Sequence, residues 1–362
     1  MEKKKALIAM SGGVDSSVAA ALMVKDGYEC IGCTMKLYSP ENGSEGNRTC
    51  CSLDDTLDAR RVADALGMSY YVLNFSSDFE SKVIDKFIRI YEAGGTPNPC
   101  IDCNRYMKFA RLSERAGELG CDLVVTGHYA RVRKDEESGR WLLLRSSNPD
   151  KDQTYVLYPM TQKQLAHTRF PLGEYDSKQE VRRIAAEYGF VNARKPDSQD
   201  ICFVPDGNYA AFIEKRTGRK YQQGNFVDEE GRVLGINRGL IHYTIGQRKG
   251  LGLSSPQPLY VKKKDPETGD VVLTTNEGLF TSSLVAEDFN WISIEKPQAG
   301  TEMEVTAKPR YRAPEAPAHV RVLEDGRVEV LFHEPQRALT AGQAVVLYDG
   351  EKVVGGGTIC RV

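Results

Sequence analysis

KALIAMSGGVDSSVAAALMVK, residues 5–25, is the stretch that decides the fold class of this chain. A short apolar run at 5–10 leads into SGGVDSS at 11–17 and then into an alanine-rich helical stretch. Strand, glycine turn and helix in this order form the first half of a βαβ unit. The glycines permit close backbone approach, and a helix N-terminus attracts phosphate. An ordinary turn in which Asp15 or Ser16 caps the helix explains the same residues about as well.

The alternation of strand and helix continues through the first half of the chain. Residues 29–37 and 69–75 have the pattern of strands, with the helical stretch 57–67 between them. A short buried-type strand at 121–128 follows a helical stretch at 105–119. This order predicts an α/β protein whose N-terminal domain is a doubly wound, mainly parallel sheet with helices on both faces.

Beyond about residue 206 the pattern changes to short strands separated by tight turns such as DPETGD and YDG. We therefore expect three domains: a nucleotide-binding catalytic domain over 1–205, a small central domain over 206–280, and a C-terminal antiparallel β-barrel over 281–362.

The bulk composition excludes several classes of protein. In 362 residues no apolar run approaches the ~20 needed to span a bilayer, so we expect a cytoplasmic protein with no membrane partner. Nine irregularly spaced cysteines favour reduced thiols over a disulfide framework. The net charge of −2 offers no global signal for nucleic acid, so RNA binding depends on local basic runs such as KPRYR at 308–312.

One pair of cysteines carries a recognisable spacing. Cys100 and Cys103 form a C-x-x-C within TPNPCIDCNRYMKF at 96–109, which fits half a metal site, a redox couple, or one reactive thiol beside an incidental one. The remaining cysteines and histidines carry weaker signals. Small buried hydrophobes account for Cys30, Cys33, Cys121 and Cys360, and surface or satisfied histidines account for His167, His242, His319 and His333.

The glycine loop lacks the lysine of the usual NTPase loop. It resembles the SGGxDS loop of the PP-loop ATP pyrophosphatases (adenine nucleotide alpha hydrolase-like proteins), which adenylate a substrate and release pyrophosphate. Further stretches are similar, in the same order, to the bacterial tRNA-specific 2-thiouridylase family. They are CCSLDDTLDARRVADALG (50–67), TPNPCIDCNRYMKF (96–109), VVTGHYAR (124–131), KDQTYVLY (151–158), PDSQDICF (196–203) and YTIGQRKGLG (243–252).

This resemblance implies an ATP- and Mg²⁺-dependent enzyme that replaces O2 of the wobble uridine of tRNA with sulfur. It assigns the nucleophile to Cys103 and the persulfide to Cys202, with Asp15 near Mg²⁺ and pyrophosphate. ATP contacts are implied for Ala9, Met10, Ser11, Gly12, Gly13, Val14, Asp15, Ser16, Met35 and Gly127. Contacts with the target base or tRNA are implied for Asn98, Pro99, Cys100, His128, Lys151, Asp152, Gln153, Arg310, Tyr311 and Gln343.

The chemistry agrees with these assignments. The C2 atom of uridine is a poor electrophile until its oxygen is adenylated, which makes AMP the leaving group. A persulfide can then attack C2, and a second thiol can release the product by forming a Cys103–Cys202 disulfide that must be reduced afterwards. The partners implied are tRNA, in particular the Lys, Glu and Gln tRNAs, and a sulfur donor protein, either a cysteine desulfurase or a relay.

Alternatives stay open at this stage. Cys100 stands where the family often has Asp, and with Cys103 and Cys202 it supplies three thiolates suited to a [4Fe–4S] cluster. A PP-loop amidating ligase that adenylates a small metabolite, and an RNA-binding module with structural Zn²⁺, are the other two readings of these residues.

Overall fold

The computed structural model of this chain describes residues 3–38, 52–196 and 201–362. Parts of two motifs, including Cys50, Cys51 and residues 197–200, therefore lie outside the described residues. In the described ranges no helix combines the length and the apolar character needed to cross a bilayer.

The N-terminal part is a five-stranded, wholly parallel sheet in the order β3-β2-β1-β4-β7, flanked by helices. Its strands are β1 (Lys5–Ala9), β2 (Glu29–Lys36), β3 (Ser69–Asn74), β4 (Leu123–Val125) and, later in the chain, β7 (Thr168–Arg169). The helices are α1 (Val14–Lys25), α2 (Leu53–Ala65), α3 (Ser76–Phe79), α4 (Asp85–Glu92), α5 (Pro99–Asp102), α6 (Leu112–Glu118), α7 (Thr154–Leu157), α8 (Gln162–Ala166), α9 (Lys178–Glu187) and α10 (Tyr209–Thr217). Two π-helical segments, Glu80–Ile84 and Cys103–Arg111, lie among them.

Side chains on β1 alternate between two hydrophobic cores, one on each face of this sheet. Ala6 and Ile8 face a first core shared with α1, α2 and α9. Leu7 faces a second core that includes Phe87 of α4 and Phe203. Both faces of the central strands are covered, which is why β1 and β4 read as continuous apolar runs, whereas the edge strand β3 is largely exposed. The prediction of a doubly wound parallel sheet is confirmed.

A four-stranded sheet in the order β10-β11-β8-β9 follows. Its strands are β8 (Asn225–Val227), β9 (Val233–Ile236), β10 (Tyr260–Lys264) and β11 (Val271–Thr274). Asn237 is fully buried here. Its amide oxygen accepts hydrogen bonds from the backbone N–H groups of Gly224 and Gly239, and its amide nitrogen donates to the carbonyls of Asn225 and Gly269. Asn237 therefore holds the strand ends of this sheet together.

The C-terminal part is the antiparallel barrel that the sequence predicts. Its strands are β12 (Phe280–Trp291), β13 (Glu302–Lys308), β14 (Ala316–Val322), β15 (Val328–Arg337), β16 (Ala344–Asp349) and β17 (Lys352–Arg361). Pairing of β12 with both β15 and β17 closes the sheet. A hairpin from the first half of the chain, β5 (Arg131–Lys134) and β6 (Trp141–Leu144), extends this sheet through a β6–β17 pairing.

The structure contradicts one alternative explanation of the glycine loop and part of one expectation for the cysteines. Neither Asp15 nor Ser16 caps α1: the cap is Gly13, and both residues lie inside the first turn, where the Ser16 hydroxyl donates to the Gly13 carbonyl. Cys30 and Cys33 are buried as expected, but Cys121 and Cys360 keep partly exposed surface. Cys121 lies in the connection that precedes β4, and Cys360 lies near the end of β17. Such positions are less completely buried than the centres of strands.

Candidate active site

The glycine loop between β1 and α1 is shaped by a close approach of α2. Gly12 has φ +73°, and a Cβ on it would lie 2.2 Å from the Asp55 carbonyl oxygen, so only glycine fits there. The Asn192 amide donates to the Gly12 carbonyl at 3.0 Å. Among the described residues no side chain caps the N-terminus of α1 at Gly13. The amide groups of this first turn thus offer a cradle suited to phosphate.

The end of β4 packs directly on the start of α1. A Cβ on Gly127 would lie 2.8 Å from the Asp15 carbonyl carbon and from the Ser16 nitrogen. Met10 is held on the other side, because its backbone N–H donates to the Cys33 carbonyl at 2.8 Å. The structure therefore brings the predicted ATP residues of the loop and Gly127 together at the carboxyl ends of the parallel strands, where ligands bind in such sheets.

Asp15 is the charged group at the start of α1. Its two carboxylate oxygens each accept a hydrogen bond from the Lys178 ammonium at 2.6 Å. The Tyr129 hydroxyl donates to one of the same oxygens at 2.8 Å. Asp15 is thus already neutralised before any nucleotide arrives.

The two predicted catalytic thiols lie at the edge of the second core. Cys103 and Cys202 both pack against this core, as do Ala9 and Met35, which are predicted ATP residues. Cys103 begins the π-helical segment that runs to Arg111, and such segments occur frequently at functional sites. All seven cysteines in the described ranges are thiols rather than disulfides.

Cys100 and His128 share one neighbour, Lys108. The Lys108 ammonium lies 3.2 Å from Nε2 of His128, and Thr126 Oγ1 lies 2.6 Å from Nδ1. Burial and the Lys108 charge hold the pKa of His128 well below its usual value, so this ring is neutral. With Lys108 donating to Nε2, the ring proton resides on Nδ1 and is donated to Thr126. His128 therefore acts here as an uncharged hydrogen-bonding group.

Cys100 carries one of the three thiols that the sequence offers as ligands of a cluster. Cys100 is an exposed residue by surface area, yet its sulfur is surrounded by protein atoms. This burial raises the pKa of the Cys100 thiol, and the Lys108 charge offsets the rise only in part. A thiol of raised pKa is a poor thiolate donor. Within residues 3–38, 52–196 and 201–362, no three Cys, His, Asp or Glu side chains are grouped so that they could hold a metal ion. Among the described residues, Cys100, Cys103 and Cys202 are therefore not grouped as three ligands of one metal site.

The segment that precedes Cys100 is held by the barrel and by the central sheet. The Gln343 amide donates to the Thr96 carbonyl at 2.8 Å, and the Thr96 N–H donates to the Ala341 carbonyl at 3.0 Å. From the central sheet, the buried ammonium of Lys264 donates to the Gly95 carbonyl at 3.2 Å. Gln343 thus contacts the loop that leads through Asn98 into α5, rather than standing apart from it.

The other predicted tRNA residues fall into two groups. Asp152 and Arg310 use their polar atoms inside the protein: Asp152 accepts from Ser146 N–H at 3.0 Å, and Arg310 donates to the Thr340 hydroxyl at 2.6 Å. Gln153 belongs with them, because its amide oxygen accepts from the Tyr129 N–H next to His128.

Tyr311 and Lys151 keep more of their surface accessible. The Tyr311 side chain is 38% exposed, with the Lys308 ammonium 5.8 Å from its ring centroid. Lys151 is partly exposed in a helical turn, Pro149–Lys151, directly before Asp152. An aromatic ring flanked by a cation suits stacking on a base and contact with phosphate.

Several residues of this site carry little signal in the sequence. Lys178, Asn192 and Lys264 were not singled out, although Asn192 lies a few positions before the PDSQDICF stretch. Tyr129 stands in the quoted stretch VVTGHYAR, directly after His128, and that position was its only signal. Lysines and asparagines are commonly surface residues, so their burial at the loop could not be read from the sequence.

The parallel sheet, the glycine loop and its uncapped helix define a HUP-domain protein of the PP-loop ATP pyrophosphatase class. Three family models match the chain: the tRNA methyl transferase HUP domain over residues 4–206, the tRNA methyl transferase PRC-barrel domain over 210–275, and the aminomethyltransferase beta-barrel domain over 281–359. The tRNA-specific 2-thiouridylase MnmA of Lachnoclostridium phytofermentans is 50% identical over 99% of this chain and 100% of its own length. That of Clostridioides difficile is 49% identical over 98% of both chains. The chain belongs to the tRNA-specific 2-thiouridylase family.

Likeness to solved structures is much lower. The U34-tRNA thiolase NcsA from Methanococcus maripaludis, solved with its [4Fe-4S] cluster, is 15% identical with a TM-score of 0.34, covering 60% of this chain and 66% of that chain. A likeness at this level has no bearing on which sulfur chemistry the present chain uses.

Proposed function

We propose that this chain is a tRNA-uridine 2-sulfurtransferase that uses ATP to convert the wobble uridine of tRNA to 2-thiouridine. One observation carries the proposal: Cys103, Cys202, Ala9 and Met35 all pack at the edge of one hydrophobic core. Ala9 ends the strand from which the glycine loop departs, so membership of this core supports a common site for the thiols and the loop. An enzyme that activates an oxygen with ATP and replaces it with sulfur needs both groups in one place.

The glycine loop would hold the phosphates of ATP, with the amide groups of Gly13 and the following turn as donors. Asp15 and the hydroxyls of Ser11 and Ser16 are oxygen donors of the kind that Mg²⁺ prefers. When bound, Mg²⁺ neutralises charge on the phosphates. The uridine O2 atom attacks the α-phosphorus, the α–β phosphoanhydride bond breaks, and pyrophosphate leaves with the electron pair.

The two thiols would complete the substitution. The terminal sulfur of a Cys202 persulfide attacks C2, and AMP leaves with the former O2 atom. The Cys103 thiolate then attacks the inner sulfur, forming a Cys103–Cys202 disulfide and releasing 2-thiouridine. A dithiol reductant restores the two thiols, and a sulfur donor protein, a cysteine desulfurase or a relay, restores the persulfide.

For tRNA, we propose that Tyr311 and Lys151 contact the anticodon arm, that Asn98, Pro99 and Cys100 lie against the target base, and that His128 contacts the tRNA near the active site. The substrates are the tRNAs for Lys, Glu and Gln, and the reaction takes place in the cytoplasm. The cluster-dependent route is not favoured, since the three cysteines do not form a ligand group, and an amidating ligase would have no use for Cys202.

The test is thiolation of unmodified tRNA by the purified protein with ATP, Mg²⁺ and a persulfide donor. Product tRNA is separated on a gel that retards thiolated species. We expect a retarded band with the wild type and none with Cys103→Ser or Cys202→Ser. Cys100→Ser should retain most of the activity, and Cys121→Ser serves as the matched control. Absence of the band from the wild type, or its loss in Cys100→Ser alone, contradicts the proposal.

A further inference from the structure

Lys178 occupies a position that its local structure does not explain. It is the first residue of α9, where the helix dipole disfavours a positive charge. Its side chain is only 12% exposed, although lysine loses hydration when it is buried. A buried lysine at a helix N-terminus requires interactions that compensate for both costs.

Asp15 and Tyr129 provide these compensating interactions. The ammonium bonds to both oxygens of Asp15 at 2.6 Å and lies 5.8 Å from the ring centroid of Tyr129, whose hydroxyl also donates to Asp15. Asp15 lies in the first turn of α1, one residue after Val14 and against Gly127. Lys178 is therefore a cation next to the phosphate cradle, separated from it only by the side chain of Asp15.

This arrangement has two consequences for charge. A carboxylate whose two oxygens are both bonded to an ammonium is a weak ligand for a divalent cation. An unneutralised carboxylate beside the cradle would also repel a triphosphate. We propose that Lys178 contacts the β- and γ-phosphates of ATP, and then the departing pyrophosphate, and that without nucleotide it masks Asp15 from divalent cations. The inference rests on the proposed function only in taking ATP as the nucleotide.

The proposal predicts two effects of opposite sign in Lys178→Met. Binding of pyrophosphate and of ATP should weaken by about ten- to a hundredfold, the usual effect of losing one charged hydrogen-bond donor. Binding of Mn²⁺ to the nucleotide-free protein should tighten, because Asp15 is no longer masked. A lysine with a purely structural role would not produce this reversal.

The experiment measures three quantities without tRNA: pyrophosphate and ATP affinity by calorimetry, and Mn²⁺ affinity by electron paramagnetic resonance. Lys178→Arg should keep pyrophosphate affinity within about threefold, since it retains the charge. Arg183→Met is the matched control, because Arg183 lies on the exposed side of the same helix and bonds to Glu187. Unchanged affinities for pyrophosphate and Mn²⁺ in a folded Lys178→Met protein would overturn the proposal.

A second measurement serves if Lys178→Met folds poorly. In wild-type protein labelled with ¹³C at lysine Cε, the Lys178 resonance is assigned by its loss in Lys178→Arg. It should shift when pyrophosphate is added, and an unmoved resonance at saturating pyrophosphate refutes the inference. A wild type that binds ATP but leaves tRNA unthiolated would contradict the proposed function and leave the role of Lys178 standing.

Discussion

Lys264 offers the sharpest test of how the parts of this chain are joined. It is the last residue of β10 and is only 4% exposed. Its ammonium donates to the carbonyls of Gly95 at 3.2 Å and Tyr243 at 2.9 Å, and lies 5.3 Å from the ring centroid of Tyr91. Lys264 therefore connects the loop before Cys100 to the YTIGQRKGLG stretch.

Burial lowers the pKa of Lys264 to about 8. An unfolded chain has a lysine pKa near 10.4, so between about pH 8 and pH 10.4 the unfolded state holds a proton that the folded state has lost. The contribution of Lys264 to the free energy of unfolding must then rise with pH across this window. At about 1.4 kcal/mol per unit the full shift corresponds to about 3 kcal/mol.

The perturbation is Lys264→Met, which keeps the length and apolar stem of the side chain but cannot titrate. At pH 7 the variant avoids the cost of a buried charge and leaves two carbonyls without this donor, effects of similar size and opposite sign. The difference in free energy of unfolding between wild type and variant should therefore change by about 2 to 3 kcal/mol in favour of the wild type from pH 7.5 to pH 10.

The assay is urea unfolding, followed by circular dichroism, at a series of pH values. Subtracting the variant from the wild type cancels the titration of the tyrosines and cysteines that both proteins share. Lys263→Met is the control, because Lys263 is exposed on the same strand and should show no such slope. A wild-type minus Lys264→Met difference that stays flat from pH 7.5 to pH 10 would refute the reasoning.

Three further predictions concern the site. Gly127→Ala should lower ATP affinity and reduce the free energy of unfolding by about 1–3 kcal/mol, because the new Cβ would lie 2.8 Å from backbone atoms at the start of α1. Gly117→Ala is the control: its Cβ would have no atom within 4 Å, so neither quantity should change. Gln343→Ala removes the donor to the Thr96 carbonyl and should raise the KM for tRNA about five- to tenfold; an equal fall in ATP affinity in titrations would contradict this. The pKa of His128 is lowered in the folded protein, so as the pH falls the unfolded chain binds a proton at a higher pH than the folded chain does. The free energy of unfolding of the wild type should therefore fall below about pH 6.5 relative to that of His128→Asn. Parallel curves of unfolding free energy against pH for the two proteins would contradict this prediction.

Much of the N-terminal fold was predictable because its signals are local. The run from β1 through the glycine loop into α1 has the length and composition of a βαβ start, and burial on both faces makes the central strands β1 and β4 continuously apolar. The barrel was predictable for the same kind of reason, since alternating strands and tight turns follow each other directly in the chain. The alternative in which Asp15 or Ser16 caps α1 was wrong: these residues are good caps in general, but here the chain enters the helix through Gly12, which the approach of α2 requires, and Gly13 is the cap.

The sequence by itself thus determined the local elements, the glycine loop, and the spacing of Cys100 and Cys103 that drew attention to the thiols. Only the tertiary structure decided which distant groups meet: Lys178 with Asp15, Lys264 with Gly95, and Cys202 with the core that Cys103 also contacts. The physical reason is that the sequence around a lysine or a cysteine does not show which distant residue its side chain contacts. Its burial, charge and reactivity are set when packing brings together segments that lie far apart in the chain.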